Sequence, residues 1–293
     1  MPDDLVAEVR RFNRAHTKRV GALAASFLET GRPYGPSRVL FEIGPDGSTT
    51  LELRRRLDLD SGYLSRLIRR LERETLVVTS VDPCDRRRRV VRLTEDGSSA
   101  WTELDQRSDN LVTRRVADLT DSQRARLADA LRTADRLLEL AGLSIDAVDP
   151  TSDVAVAAMN DYFVELDDRF ADGFDPGDTL VDDAPTMAPP TGVFLVARVD
   201  ETVAACGGVQ RHDKRTGEIK RMWVHPDWRG VGLGRRMLSR LEAATAELGY
   251  PRVVLDTNET LGEAISMYDR AGYRSIGRYN DNPYAHHWFE KKL

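Results

Sequence analysis

The sequence predicts two domains: a mainly α-helical half over residues 1–142 and an α/β half with a mixed central sheet over residues 143–293. Three observations carry this expectation. The 293 residues are too many for one ordinary core and too few for three. Near Gly142 the apolar pattern changes from helical spacing to short strand-like runs. The charge changes at the same place. Residues 1–142 hold 26 Lys+Arg against 23 Asp+Glu, residues 143–293 hold 17 against 25, and the chain nets −5. A hydrophobic content of 41% with 31% charged residues excludes wholesale disorder. No apolar run approaches the roughly 20 residues that span a bilayer. The opening MPDDLVAEVRR has no apolar core of a secretory signal, so no leader or membrane contact is expected. Two cysteines, Cys84 and Cys206, exclude a disulfide framework and point to a reducing cytoplasm.

In the first half, Leu5, Val9, Phe12, Val20, Leu23 and Phe27 repeat at helical spacing, so one long amphipathic helix is expected over residues 3–30. Residues 93–141 read as two more helices, the first capped by Thr94, the second by a Thr120–Gln123 capping box. Leu127, Leu131, Ala134, Leu138 and Ala141 share one face of the second. Long terminal helices with such stripes need a partner, and dimerisation supplies it.

Residues 54–92 carry 12 bases and 6 acids, a local excess suited to a polyanion. Thr49 and Glu52 form a capping box for TTLELRRRL. A DLD turn follows, and Asp60 caps SGYLSRLIRRLERE. That helix buries Leu64, Leu67, Ile68 and Leu71 and presents Ser61, Gly62, Ser65, Arg66, Arg69 and Arg73. Two helices joined by a tight turn, the second with short polar residues before arginines, fit a helix-turn-helix whose second helix enters the major groove. The next run, LVVTSVDPCDRRRRVVRLT, reads as a basic hairpin, a wing with Arg86, Arg87, Arg88 and Arg89 at its tip for phosphates or the minor groove. The first half is thus expected to be a winged helix-turn-helix.

Over residues 3–142 the chain resembles the MarR family of winged-helix regulators. LELRRRLDLDSGYLSRLIRRLERETLV and the wing ending VVRLTEDG carry the resemblance. It implies a homodimer on a palindromic site in double-stranded DNA, with Ser61, Tyr63, Ser65 and Arg66 contacting bases or phosphates and Arg69 beside them. Asp85 and Arg87 occupy the wing's Asp-x-Arg positions. Thr75 stands where many relatives have glycine after the recognition helix. Cys84 in the wing is a candidate redox switch, with an inert thiol as the alternative.

In the second half, LSIDAV reads as a strand, and DPTSD opens a helix with Val154, Ala158, Tyr162 and Leu166 on one face. Residues 171–191 form a Pro-, Gly- and Asp-rich loop over a ligand site. Strands GVFLVARVD, TVAACGGVQ and GEIKRMWVHP precede a helix from about Arg229 to Leu248. Strand RVVLDTN, helix LGEAISMYDRAGY and strand AHHWFEKKL complete the α/β pattern. The chemical centre is WRGVGLGRR, where Gly230, Gly232 and Gly234 let backbone N–H groups face an anion at a helix N-terminus. Hairpin strands before it disfavour a dinucleotide-binding βαβ unit, and no G-K-[ST] makes it a Walker loop.

Arg229, Gly230, Val231, Gly232, Leu233 and Gly234 match R-x-x-G-x-G. With that spacing the half resembles the GNAT superfamily of acyl-CoA-dependent N-acyltransferases. Tyr268, four residues before Gly272, completes the family's A-x-x-x-Y-x-x-x-G-[FY] pattern, and Glu218 stands eleven residues before Arg229, at the general-base offset. The resemblance implies a GNAT fold and acetyl-CoA as cofactor, leaving as CoA. It is held by residues 229–234 with Arg235, by strand backbone at Met222 and Val224, and by Asn258. Many relatives place that asparagine where Leu261 stands here. Glu218 would deprotonate a small amine acceptor and Tyr268 would protonate the departing thiolate. Glu218 also fits a structural strand-end carboxylate paired with Lys220 or Arg252, and Tyr268 a packed helix aromatic. Tyr162, Phe163 and Glu165, on the first helix of this half, and Asn280 are candidate acceptor contacts, and the −8 half favours a cationic acceptor. His286 and His287 point to opposite faces of a strand, so no metal site is expected. The two halves together read as a DNA-binding transcriptional regulator fused to an N-acetyltransferase. The alternative is a catalytically silent acyl-CoA or ligand sensor controlling DNA binding. A third reading uses the winged helix only for dimerisation.

Overall fold

The computed structural model describes residues 3–82, 85, 88–171, 173–175, 184–199 and 202–293. The chain separates into two compact units, Met1–Arg124 and Ala125–Leu293. The division falls inside a helix, upstream of the change of pattern at Gly142. Among the described residues no helix is long and apolar enough to cross a membrane.

The first unit runs α1 (Asp3–Val20), α2 (Tyr34–Ile43), β1 (Ser48–Thr49), α3 (Thr50–Leu57), α4 (Ser61–Arg73), β2 (Val77–Val81), β3 (Arg89–Leu93) and α5 (Glu95–Val116). Its core is built from Val39, Leu40, Ile43, Leu53, Leu64, Leu67, Ile68, Leu71, Leu76, Val77 and Val91. The capping box at Thr49 forms in both directions, and the Asp60 side chain accepts from the Tyr63 N–H at 2.9 Å. Asp58 closes α3 in the left-handed conformation, which aspartate tolerates. The wing is a three-stranded antiparallel sheet ordered β1-β3-β2. Pro83, Cys84, Arg86 and Arg87 lie outside the described residues.

Two expectations are corrected in this unit. The first helix ends at Val20 and not near residue 30, because Gly21 adopts φ +73° and breaks the ladder. Helix α2 was not anticipated. Pro33 is its N-cap and Pro36 lies in its first turn, where a missing N–H costs nothing.

Thr75 does the work of the usual glycine after α4, at φ +59°. Its carbonyl accepts from the Thr94 hydroxyl at 2.6 Å, which joins the end of α4 to the cap of α5. A left-handed non-glycine residue costs about 1–2 kcal/mol, and glycine's extra unfolded-state entropy returns about 0.5–1 kcal/mol of that. Thr75→Gly is therefore expected to stabilise the protein by about 0.5–1 kcal/mol, read as a higher urea midpoint at unchanged slope.

Helix α6 (Asp121–Glu139) follows, its capping box formed by Thr120 and Gln123 as expected. The second unit continues with β4 (Ser144–Val148), α7 (Asp153–Arg169), β5 (Val193–Val199), β6 (Thr202–Arg211), β7 (Thr216–Val224), α8 (Leu233–Glu247), β8 (Arg252–Thr257), α9 (Gly262–Arg270), β9 (Arg274–Ile276) and β10 (His287–Lys292). The seven strands form one mixed sheet ordered β4-β5-β6-β7-β8-β10-β9. Strand β9 was not anticipated, being three residues long. Helix α8 begins at Leu233, four residues later than expected, since Gly230 and Gly232 hold φ +78° and +90°. One face of the sheet packs on α8 and α9 through Leu195, Val209, Leu238, Leu241, Val253 and Leu255. The other packs on α7 through Met159, Phe163, Phe194, Val196, Cys206 and Trp223.

Candidate functional site

The feature that opens this sheet is a single extra residue in β7. Cys206 of β6 pairs with Trp223 and Gly208 with Lys220, so two β7 residues oppose Gly207. Arg221 sits in this bulge at φ +54°. A bulge bends its strand. The parallel pairing of β7 with β8 accordingly stops after Thr216–Arg252, Gly217–Val253 and Glu218–Val254. From Ile219 to Val224, β7 keeps its β6 partner but has no partner on the β8 side. The two strands form a fork.

A cavity of about 450 Å³ occupies the fork. Met222, Lys220 and Arg221 line it from β7, Asp256 and Thr257 from β8, and Tyr268 from α9. Tyr162 and Phe163 line it from α7, and Phe170 and Phe174 from the segment that follows. Part of the proline-rich loop thus covers the cavity, as its composition suggested, while residues 172 and 176–183 lie outside the described residues.

Glu218 lies behind the fork and not among the cavity's lining residues. It is 4% exposed. Its Oε1 accepts from the Tyr279 hydroxyl at 2.9 Å and from Asn280 Nδ2 at 3.4 Å, and its Oε2 accepts from Gln210 Nε2 at 2.8 Å. Lys220 Nζ stands 3.1 Å from Oε1 and 3.5 Å from Asp256 Oδ2. Burial works against the Lys220 charge, but Asp256 and Glu218 outweigh it and hold its pKa above the ordinary value. Lys220 therefore remains an ammonium that ties the two carboxylates together. Asn280 closes the cluster by donating to Asp256 Oδ2 at 2.6 Å and accepting from the Trp288 indole at 2.9 Å. Its place is beside Glu218 and Asp256 and not on the cavity wall.

Tyr268 and Tyr162 line the cavity, and burial pushes both phenols up, so each presents a neutral O–H. Asn258 also lines it. Its Nδ2 donates to the Tyr284 carbonyl at 2.8 Å and its Oδ1 accepts from the Thr260 N–H at 2.9 Å, so it braces the end of β8. Glu165 does not reach the cavity. Its Oε2 accepts from the Trp223 indole at 2.6 Å and from Arg229 Nη2, and its Oε1 pairs with Arg169 at 2.8 Å. Arg229 Nε also donates to the Val224 carbonyl at 3.0 Å. Arg229 and Glu165 together fasten the glycine turn to β7 and α7.

No side chain caps the N-terminus of α8. A Cβ at Gly230 or Gly232 would meet nothing within 4 Å, so the turn borders open space, and the first N–H groups of α8 have no side-chain cap. An uncapped helix N-terminus behind two left-handed glycines suits a diphosphate. The bare β7 edge in the fork suits an amide-bearing arm. The glycine turn and the bare β7 edge therefore fit a ligand with a diphosphate and an amide-bearing arm, as acetyl-CoA has.

In the first unit, α4 presents Ser61, Tyr63, Ser65, Arg66, Arg69 and Arg73 to solvent. Arg66 stacks over the Tyr63 ring at 5.5 Å, and the Ser65 hydroxyl donates back to the Ser61 carbonyl. Arg70, on the inner side, pairs with Glu74 at 3.0 Å. Among the described residues Arg66, Arg69 and Arg73 form no ion pair. Arg88 pairs with Asp85 at 3.3 Å and Arg89 is exposed.

Comparison with known proteins follows the same division. Residues 159–273 match the acetyltransferase (GNAT) family, and residues 38–97 match a winged helix DNA-binding domain. The chain is 34% identical over 122 residues to the IAA acetyltransferase of Azospirillum brasilense, a match covering 41% of this chain and 78% of that protein. It is 36% identical over 109 residues to an uncharacterized N-acetyltransferase of Schizosaccharomyces pombe, covering 36% of this chain and 66% of the other. An acetyltransferase of Streptococcus agalactiae overlays 52% of the chain and 99% of its own at 22% identity and a TM-score of 0.45. The chain belongs to the GNAT family of acetyltransferases through its second half and carries a winged helix DNA-binding domain in its first.

Proposed function

We propose that the protein is an acetyl-CoA-dependent N-acetyltransferase acting on a small amine, joined to a dimeric, MarR-like DNA-binding regulator. The fork between β7 and β8 carries the enzymatic reading. It exposes strand backbone beside an uncapped helix and a neutral phenol. Acetyl-CoA supplies an activated acyl thioester. The chain's own residues do the rest. The glycine turn binds the diphosphate. The Glu218–Lys220–Asp256 cluster receives the amine's proton, with Glu218 as its buried end. Tyr268 holds an O–H for the leaving sulfur. Calorimetric titration with acetyl-CoA tests the binding half of this reading: a saturable one-site heat supports it, and no heat contradicts it.

On the DNA side, Ser61, Tyr63, Ser65 and Arg66 read bases, while Arg69, Arg73, Arg88 and Arg89 hold phosphates. Phe12 on α1 and Leu127, Leu131 and Leu138 on α6 are exposed, at 46%, 40%, 51% and 57%. These stripes support a homodimer on a palindromic site. The expected result of Arg69→Ala with Arg73→Ala is weaker binding to every duplex and a salt slope lower by about 2, near 0.9 per phosphate contact. Arg66→Ala should instead change sequence preference. Gel shifts across a salt series check both, and an unchanged slope in the double variant contradicts the phosphate assignment. The enzyme reading is preferred over a silent sensor because Tyr268 lines the cavity with its hydroxyl free of hydrogen bonds among the described residues.

A further inference from the structure

Asp256 has one oxygen to spare, and it belongs to a residue that lines the cavity. All its bonds converge on Oδ2: Asn280 Nδ2 at 2.6 Å, Asn282 Nδ2 at 3.2 Å and Lys220 Nζ at 3.5 Å. Oδ1 has no partner among the described residues. Glu218, by contrast, has both oxygens engaged and lies off the cavity. Much of the wall of the cavity that Asp256 lines is aromatic. Phe174 stands 4.8 Å from Tyr284 and 5.5 Å from Phe163 between ring centroids, and Phe170 and Tyr162 extend the surface. Arg221 turns its guanidinium over Phe163, 5.5 Å from the ring centroid.

A carboxylate with one oxygen free of hydrogen bonds among the described residues, on a residue lining a cavity walled by aromatic rings, suits one kind of guest, an ammonium group on a flat apolar body. The ammonium finds a counter-charge at Asp256 and cation–π contacts on the rings, and the body buries its apolar surface against them. An extended polyamine would need several separated acids, and the described lining offers only Asp175 and Asp256.

Resting on the acetyltransferase reading above, we infer that Asp256 is the residue that binds the acceptor and takes its proton, and that the acceptor is a primary amine carried on an aromatic or similarly flat apolar body. Asp256 Oδ1 accepts a hydrogen bond from the ammonium and removes one proton to give the neutral amine. The nitrogen lone pair forms the N–C bond as the thioester C–S bond breaks. The thiolate takes the Tyr268 proton, and the nitrogen's second proton passes through solvent to the tyrosinate, so Tyr268 is restored and only the proton on Asp256 remains to be given up to solvent. Glu218 acts as a positioning residue: with Lys220 it keeps Oδ2 occupied and Oδ1 turned to the cavity.

The test uses the full chain and 2-phenylethylamine, with spermidine and a lysine-containing peptide as rivals. Amine-dependent thiol release across pH gives kcat/KM, and calorimetry gives binding of amine and of acetyl-CoA. Wild type is expected to favour 2-phenylethylamine by at least about tenfold. Asp256→Asn should lower its kcat/KM by about 10²-fold or more near neutral pH and leave acetyl-CoA affinity unchanged. Its rate should then climb with pH as free amine accumulates, and Asp256→Glu should recover part of the loss. An Asp256→Asn protein with the wild-type rate and pH profile overturns the inference while leaving the enzyme reading intact, as does a wild-type preference for spermidine or the peptide. Failure of the enzyme reading looks different. A wild type that turns over no amine, yet binds 2-phenylethylamine and loses that binding in Asp256→Asn, sinks the enzyme and keeps the site. Loss of both sinks the site too.

Discussion

Glu218→Gln is expected to slow turnover near neutral pH by about 10²-fold, at the lower end of the 10²–10⁴ that proton-transfer assistance contributes. The substitution removes one of the two carboxylates on Lys220, whose ammonium then pairs with Asp256 alone and competes with the amine for that carboxylate. Acetyl-CoA affinity should not change, because the turn at Gly230–Arg235 and the β7 edge lie elsewhere in the fork. The sign with pH is fixed by the amine. As pH rises more of it arrives neutral, needs no base, and recovers part of the rate. Tyr268→Phe should behave differently. Its loss persists at high pH, since the sulfur still leaves without an O–H donor and wild-type Tyr268, pushed up by burial, stays protonated there. Steady-state rates of both variants across pH check the contrast.

Gly232→Asp should remove acetyl-CoA binding while leaving the fold almost intact. A Cβ at this position meets no atom within 4 Å, so sterics permit the side chain and the fold loses only the cost of φ +90°, about 1–2 kcal/mol. The effect on the ligand is larger. Gly232 is the N-cap of α8, and an aspartate there turns its own carboxylate onto the helix N–H groups that would otherwise meet a diphosphate. Charge-assisted hydrogen bonds contribute about 1.5–3 kcal/mol each, so losing one or two lowers affinity by about tenfold to about 10⁴-fold. Calorimetry reads the loss, and a thermal scan shows that folding is retained. Gly232→Ala separates the causes, because it carries the backbone strain without the charge and should keep most of the affinity.

The winged helix was legible because its signals are local. Capping residues at Thr49, Asp60 and Thr94 and the spacing of Leu64, Leu67, Ile68 and Leu71 each act within one or two turns. Where the signal was mixed, the reading slipped. Gly21 ended α1 although an apolar period ran on through Leu23 and Phe27, and Leu23 is 88% exposed. The prolines at 33 and 36 disguised α2, yet Val39, Leu40 and Ile43 on it are buried in the core.

In the second half, the spacing of Glu218, Arg229 and Tyr268 located the fork but not the enclosure of Glu218. Its partners Gln210, Tyr279 and Asn280 come from segments up to 62 residues away, and only the folded sheet brings them together. Glu165 shares its helix with Tyr162 and Phe163, and the sequence places it with them at the acceptor. The chain spends it instead on Arg229, Arg169 and Trp223. In the sequence Asp256 reads as one acid ending the apolar run RVVL. Its signal was there all the same, a carboxylate inside a strand that must be buried.

The most direct measurement of the central claim is thiol release from acetyl-CoA by the intact protein over a panel of primary amines, with the N-acetyl product identified by mass. The fork, the uncapped glycine turn and Tyr268 predict amine-dependent release in a one-to-one ratio with acetylated amine, lost in Tyr268→Phe and in Gly232→Asp. A protein that binds acetyl-CoA but releases no thiol with any amine, while acetyl-CoA alters its affinity for DNA, would contradict the enzyme and establish the sensor in its place.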